Sequence, residues 1–167
     1  MAKRRHRRAS LKKDPVEIAI ERMSNEGRGV SHINGKVVFV EGALPRETVK
    51  AAYQTNRSQY SELRTTEVIT RSSERVEPPC TYAGTCGGCT LQHLNNDSQL
   101  TFKEGVLLEQ LEHAAGLREK DFAVLPVLKA KVLGYRRKAR LGVRHVVKKG
   151  GVLVGFREKN SGFIMDM

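Results

Sequence analysis

Apolar and polar residues alternate in short runs from Pro15 to about Arg71, which is the pattern of half-buried β-strands. Val16, Ile18 and Ile20 begin the alternation, and the dipeptide Asn34-Gly35 separates two later runs. Asn-Gly supplies the positive φ angles of a tight hairpin. The expected strands are residues 16–20, 30–33, 36–40, 48–53 and 60–70. Five short strands at this spacing favour a small closed barrel of the OB type, or else a small open sandwich.

A loop, a helix and further strands are expected after residue 71. Residues 72–95 are rich in Ser, Pro and Gly and predict a loop. Polar residues at 96–98 can cap a helix that runs to about residue 115, where Gly116 ends it. A strand interrupted by Pro126 is expected over residues 122–128. The second half of the chain is therefore predicted to be an α+β module.

The formal net charge of +12 is concentrated at the two ends of the chain. Residues 1–13 contain seven basic and no acidic residues, and residues 128–167 contain 11 basic and two acidic residues. A polyanion that contacts both ends would account for this distribution, and nucleic acid is the expected polyanion. For the first 13 residues the alternative is a solvated, disordered tail.

Cationic and apolar side chains alternate over residues 134–148, GYRRKARLGVRHVVK. A period of two places five cations on one face and mostly apolar groups on the other, which predicts a strand with a basic outer face. The five cations are Arg136, Lys138, Arg140, Arg144 and Lys148. Cations on such a face recur about every 7 Å, a spacing that suits an RNA backbone. A turn and a second strand over residues 152–156 should follow, and a merely solvated strand face is the alternative.

No run of apolar residues approaches the roughly 20 that are needed to span a bilayer. The basic start of the chain, MAKRRHRRASLKK, has no apolar segment behind it and is not typical of a secretory signal. We therefore expect a cytoplasmic protein that is not associated with a membrane.

All three cysteines of the chain, Cys80, Cys86 and Cys89, fall in the predicted loop with the spacing C-x5-C-x2-C. An odd number of cysteines and no sign of export disfavour disulfides, and a nucleophilic cysteine would not explain three. A metal centre is therefore the favoured interpretation. Gly87 and Gly88 would let the backbone fold tightly between two ligands and let amide N–H groups approach sulfur.

The spacing leaves the kind of metal centre open. Zinc prefers four ligands, and His93 follows Cys89 by four positions, so a Cys3His site is one option. An iron–sulfur cluster is held as a rule by four cysteines, so its fourth ligand would come from outside this chain or from histidine. Three buried free thiols are the remaining alternative.

Four segments of the chain resemble the bacterial 23S ribosomal RNA (uracil-5-)-methyltransferases. The cysteine loop, PPCTYAGTCGGCTLQH, is similar to that family's P-x-C-x5-C-G-G-C-x-x-Q-H pattern. Two further family segments resemble GYRRKARLGV and VGFREKNSGFIMDM. The TRAM domain, an OB-like RNA-binding barrel, resembles IERMSNEGRGVSHINGKVVFVEGALPRE. The segments follow the family's order and span the chain after the basic tail.

The resemblance implies a β-rich, mixed fold in four parts. These are a basic disordered tail (1–13), a five-stranded TRAM barrel (14–72), an iron–sulfur loop (73–95) and the start of a truncated central α+β RNA-binding domain (96–167). Cys80, Cys86 and Cys89 would bind a [4Fe-4S] cluster whose fourth cysteine lies just beyond the end of this chain. The family's C-terminal Rossmann-like methyltransferase domain, which binds S-adenosylmethionine, is expected to be absent.

The resemblance further implies an enzyme that forms 5-methyluridine in 23S ribosomal RNA, in which this chain supplies RNA binding and the cluster site. No catalytic or S-adenosylmethionine-binding residue is expected within the chain, so it should be inactive alone; a monomer is expected. The few aromatic residues of the barrel predict RNA binding with little sequence preference. The alternatives are a stand-alone RNA-binding protein with a Cys3His zinc site, and a ribosome-associated basic protein whose cysteines are structural.

Overall fold

The computed structural model describes residues 14–166, apart from the side chain of Lys149. The basic tail expected at residues 1–13 lies outside the described residues. The chain divides into two compact units, one ending at Arg75 and one beginning at Val76. None of the described helices is both long enough and apolar enough to cross a membrane.

The first unit is a sheet of six short strands. Its strands are β1 (Val16–Ala19), β2 (Arg22–Met23), β3 (Gly29–Ile33), β4 (Lys36–Glu41), β5 (Thr48–Asn56) and β6 (Tyr60–Thr70). Across the sheet they follow the order β1-β5-β6-β4-β3-β2. Neighbouring strands are antiparallel except β4 and β6, which are parallel.

The two edge strands close this sheet into a barrel. β1 and β2 lie at opposite edges, although only Ile20 and Glu21 separate them in the chain. The Ile20 N–H donates to the Glu47 carbonyl oxygen at 2.8 Å, and the Glu21 N–H donates to the Val30 carbonyl oxygen at 3.0 Å. Residues 16–23 therefore act as one bent strand that pairs with β5 at its start and with β3 at its end. This confirms the predicted OB-like barrel of five strands.

Alternation along each strand places one face in the barrel core. Val38 and Val40 of β4 are buried there, so Phe39 between them faces outward. The other members of the core are Ile18, Ile20, Ala43, Val49, Ala51 and Leu63. The predicted hairpin turn joins β3 to β4, because Asn34 and Gly35 have φ angles of 51° and 77°, which a tight two-residue turn requires.

A buried carboxylate fixes the end of the first unit. Glu47 is 1% exposed and accepts the Leu44 N–H at 2.8 Å and the Ser72 N–H at 3.2 Å. Arg75 donates to both carboxylate oxygens, at 2.5 Å and 2.7 Å, and to the Gly42 carbonyl oxygen at 2.6 Å. Burial alone would raise the pKa of Glu47, but the hydrogen bonds from Arg75 and the two amides outweigh burial and hold that pKa below its ordinary value of 4.5.

The described residues of the second unit contain one α-helix and one β-hairpin. Helix α1 spans Asn96–Ala115 and ends at Gly116, as predicted, with a left-handed φ of 67° at that glycine. Its N-cap is Asn95, one residue before the predicted cap, and the Asn95 side chain accepts the Ser98 N–H at 2.9 Å. No residue of α1 is buried.

The strand predictions for the second unit are partly wrong. Residues 122–128 form no strand, and the strand predicted over residues 134–148 is confined to β7 (Gly142–Val146), which pairs with β8 (Gly151–Gly155). Gly142 lies opposite Gly155, and the chain after Gly155 pairs with other segments. The residues before β7 therefore lack a partner strand in this hairpin, and a strand needs that ladder of hydrogen bonds.

The hairpin also exposes the face that the sequence pattern predicted to be covered. Val143 and Val154 are cross-strand partners, and they are 68% and 53% exposed. The opposite face holds Gly142, where an added Cβ would lie 2.3 Å from Ile164 Cδ1. The predicted row of five cations on one strand is therefore wrong, because β7 contains just one of them, Arg144.

Candidate metal site and RNA-binding surfaces

The three cysteines lie on a turn-rich loop at the start of the second unit. The Ala83 N–H donates to the Cys80 carbonyl oxygen at 3.1 Å, and the Cys86 N–H donates to the Tyr82 carbonyl oxygen at 2.8 Å. Cys80 is half-buried, Cys86 is buried and Cys89 is exposed, and all three are free thiols. Local turns thus bring three sulfur donors into one short loop.

Backbone hydrogen bonds dock this loop on residues 156–165. The Gly87 N–H donates to the Arg157 carbonyl oxygen at 2.8 Å. On the other side of Cys86, the Lys159 N–H donates to the Thr85 carbonyl oxygen, also at 2.8 Å. Cys86 itself forms a β-bridge with Glu158. An added Cβ at Gly87 would lie 2.9 Å from the Arg157 carbonyl oxygen, so this close approach of two backbones requires glycine.

Gly88 brings an amide group to the buried thiol. Its N–H donates to Cys86 Sγ at 3.4 Å. An added Cβ at Gly88 would lie 3.2 Å from the Phe156 ring, which packs beside the glycine. Hydrogen bonds to sulfur are among the contacts that set the potential of an iron–sulfur centre. Both glycines between Cys86 and Cys89 therefore permit contacts that a side chain would obstruct.

No three His, Cys, Asp or Glu side chains among residues 14–166 are grouped closely enough to hold one metal ion. The donor types nevertheless suit a thiolate centre, because three cysteines share one docked loop. His93, the fourth donor of the zinc alternative, is 8% exposed, and its carbonyl oxygen accepts the Val76 N–H at 3.0 Å. The metal site predicted from the spacing stays a prediction.

The four basic residues predicted to contact RNA all lie on the surface. Arg136, Lys138 and Arg140 belong to the stretch over residues 123–141, in which every side chain is exposed, and Arg144 belongs to β7. Within residues 14–166 none of the four forms a salt bridge with a carboxylate. Their charges therefore face solvent without compensation from an acidic side chain.

Aromatic and cationic side chains cluster on the outer face of the barrel where β4 and β6 meet. The rings of Phe39 and Tyr60 contact each other edge to face, with their centroids 5.8 Å apart. Arg28 Cζ lies 4.8 Å from the Phe39 centroid, and Arg57 Cζ lies 5.6 Å from the Tyr60 centroid. We call these four residues the aromatic patch. Guanidinium groups at these distances are attracted to the ring faces.

Two carboxylates hold Arg28 in the aromatic patch. Arg28 Nη1 donates to Glu62 at 3.0 Å, and Nη2 pairs with Glu26. The other oxygen of Glu62 accepts the Thr55 hydroxyl at 2.6 Å. This hydrogen bond from Thr55 lowers the pKa of Glu62, partial burial opposes it, and Arg28 lowers the pKa further. The carboxylate is therefore charged at neutral pH and keeps the guanidinium over Phe39.

The barrel matches a known domain family. Residues 14–61 match the model of the TRAM domain. The first unit is a TRAM domain. The matched residues contain the bent strand, β3, β4 and β5, together with the whole aromatic patch.

The similarity to curated relatives extends beyond the TRAM domain. The 23S rRNA (uracil(1939)-C(5))-methyltransferase RlmD of Alkalilimnicola ehrlichii is 48% identical over 161 residues, which cover 96% of this chain and 36% of that protein. The enzymes of the same name from Hahella chejuensis and Nitrosococcus oceani are 49% and 45% identical, each over 158 residues and 35% of their length. The chain is homologous to the N-terminal part of these methyltransferases and spans about a third of their length.

The aromatic patch of the TRAM domain is not predicted by the sequence patterns above. Phe39 and Tyr60 occupy outward positions of predicted strands, so an aromatic residue on the polar side of an alternating run is the signal that marks them. Arg28 and Arg57 lie in the turns that precede β3 and follow β5. Each arginine reaches its ring within one hairpin, but the two rings meet only because β4 and β6 pair in parallel, which no local pattern reports.

Proposed function

We propose that this chain provides RNA binding and an iron–sulfur site to an S-adenosylmethionine-dependent enzyme that forms 5-methyluridine in 23S ribosomal RNA. The sequence identity of 45–49%, over about 95% of the chain, to relatives named for that modification carries the proposal. The catalytic residues and the S-adenosylmethionine site are assigned to the part of the relatives that this chain does not match. The chain acts in the cytoplasm, as a monomer, with RNA as its partner.

Cys80, Cys86 and Cys89 are the proposed ligands of a [4Fe-4S] cluster. Three thiols in one docked loop and an amide that donates to Cys86 Sγ support this assignment. A cluster takes four protein ligands as a rule, so the fourth is assigned to a residue outside the chain. When bound, the cluster would cross-link the loop through its sulfur atoms, in addition to the backbone bonds that dock it.

Metal analysis of the chain purified without oxygen, with a small thiol present to occupy the fourth ligand position, tests the cluster. We expect iron and acid-labile sulfide in a brown protein that loses both in air, and loss of both from Cys86→Ser. His93→Ala should leave the iron content unchanged. The alternative, a Cys3His zinc site, predicts a colourless protein with one zinc that His93→Ala releases. A chain that binds neither metal after reconstitution with iron and sulfide, and after addition of zinc in a separate preparation, would refute both sites.

The exposed basic stretch before β7, together with Arg144, is proposed to bind RNA phosphates. Residues 128–167 contain 11 basic and two acidic residues, and the four candidate cations face solvent. Phosphate contacts of this kind supply affinity that is independent of sequence and falls steeply with salt. Affinity measured against salt concentration therefore tests this surface, through the substitutions given in the Discussion.

A further inference from the structure

We propose that the aromatic patch is a stacking site for unpaired RNA bases. The inference rests on the proposed RNA-binding function and specifies how the TRAM domain holds its ligand. It predicts that the barrel distinguishes single-stranded RNA from duplex RNA, in which the bases are already stacked on one another.

The position of the aromatic patch in the fold suits this role. In an OB barrel the second and third strands form the ligand-binding face. With residues 16–23 counted as the first strand, β3 and β4 are the second and third. Phe39 lies on β4, opposite Val30 of β3. Tyr60 lies on the adjacent strand β6, beside Val37 of β4. The patch therefore occupies the face that binds ligands in this class of barrel.

Packing and ion pairs support the aromatic patch. Val30 is completely buried, yet it is not part of the barrel core and shares the outer face with its cross-strand partner Phe39. Glu62 and Glu26 hold the Arg28 guanidinium, so its plane cannot swing away without breaking two ion pairs. A platform that is already ordered loses little conformational entropy when a base binds.

The two arginines of the aromatic patch differ in charge environment, which suits one to contact bases and the other to contact phosphates. Two carboxylates pair with Arg28 and more than offset its single charge, so its guanidinium offers a flat surface rather than a free cation. Arg57 forms no ion pair within the described part of the chain, so its charge is available to a phosphate. Proteins that bind single strands usually stack the bases on aromatic rings or guanidinium planes. They place a cation nearby that contacts the phosphate backbone.

The experiment measures binding of the full chain to a short single-stranded RNA that contains 2-aminopurine, and to the duplex of the same sequence. Stacking should quench the 2-aminopurine fluorescence when the wild-type chain binds the single strand. Phe39→Leu and Tyr60→Leu should each weaken single-strand binding by about 5- to 100-fold and reduce the quenching, with the salt dependence unchanged. Duplex binding should not change. The matched control is Phe163→Leu, because Phe163 is an exposed aromatic residue of the second unit outside the cysteine loop.

Two further variants protect the test against loss of folding. Arg28→Lys keeps the charge but removes the flat guanidinium, so it should weaken single-strand binding in the same direction. Arg57→Gln should instead reduce the salt dependence by about one phosphate. Circular dichroism verifies that each variant remains folded. The quenching of 2-aminopurine by the wild-type chain tests stacking independently of any variant.

The outcomes separate this inference from the proposed function. If the wild-type chain binds RNA without quenching, and the Phe39 and Tyr60 variants bind as tightly as wild type, stacking is refuted while RNA binding stands. Equal losses for single-strand and duplex RNA would also refute stacking, since a base-stacking site cannot act on paired bases. If the wild-type chain binds no RNA of either kind, both proposals fail.

Discussion

Replacing Arg75 with methionine should destabilise the barrel strongly. Arg75 donates to both oxygens of Glu47, whose side chain has no exposed surface. In the Arg75→Met variant a buried carboxylate would keep only the amide donors of Leu44 and Ser72. Removing one partner of a buried ion pair costs about 3–5 kcal/mol. A unit of about 60 residues has a free energy of unfolding of about 3–9 kcal/mol, so the substitution should remove much of the stability of this barrel.

Hydrogen exchange followed by mass spectrometry measures this effect in the barrel directly, through the peptides of β5 and β6. The control is Lys50→Met, which removes the exposed ion pair between Lys50 and Glu67, with side chains 48% and 57% exposed. It should leave the exchange rates of these strands unchanged, because exposed ion pairs are screened by water and salt. If Arg75→Met and Lys50→Met had similar effects, the stability assigned to the buried pair would be wrong.

Three further predictions concern pH, the cysteine loop and RNA. Because the pKa of Glu47 is depressed in the folded barrel, its contribution is present above its ordinary pKa of 4.5 and is lost as the pH falls through the lower folded value. Urea unfolding at several pH values should therefore show a stability loss in acid that is smaller in Glu47→Gln; equal pH profiles would contradict the shift. Gly87→Ala places a Cβ 2.9 Å from a carbonyl oxygen and should speed alkylation of Cys86 by iodoacetamide, measured by peptide mass spectrometry; an unchanged rate would mean that docking does not protect the thiol. Arg136→Ala and Arg140→Ala should each weaken RNA binding and lower its salt slope by about one phosphate in filter-binding assays, whereas an unchanged slope would leave both as solvated residues.

The barrel could be predicted from the sequence because most of its information is local. Asn34-Gly35 specifies a hairpin from two residues, and Val38 and Val40 mark the inner face of β4 within one short run. Glu47 could not be predicted, since an isolated glutamate in a turn is ordinarily exposed. Its burial depends on Arg75, 28 residues further along the chain, and no pattern within a strand or a turn records such a pair.

The second unit shows what an alternating pattern cannot determine. The alternation over residues 134–148 correctly separates Val143 from Arg144, because adjacent residues of β7 point to opposite faces. The alternation does not determine where the strand ends, because that depends on hydrogen bonding to a partner strand. The pairing of β7 with β8 stops at Gly142, since the chain after Gly155 pairs with other segments. Nor does the pattern determine which face of the hairpin is covered. The pattern predicted that the face of Val143 is covered, but Ile164 packs against the opposite face, at Gly142.

The cysteine loop differs because its prediction depends on chemistry rather than on periodicity. Ligand spacing is a property of a few consecutive residues, so Cys86, Gly87 and Gly88 could be singled out without knowing any partner strand. What spacing could not supply is the surface on which they dock, since Gly87 meets Arg157 across most of the second unit's sequence. The docked backbone explains why glycine stands between two sulfur donors. The same contact makes Gly87→Ala informative whichever metal the cysteines hold, because the Cβ obstructs the backbone approach and leaves the donor set intact.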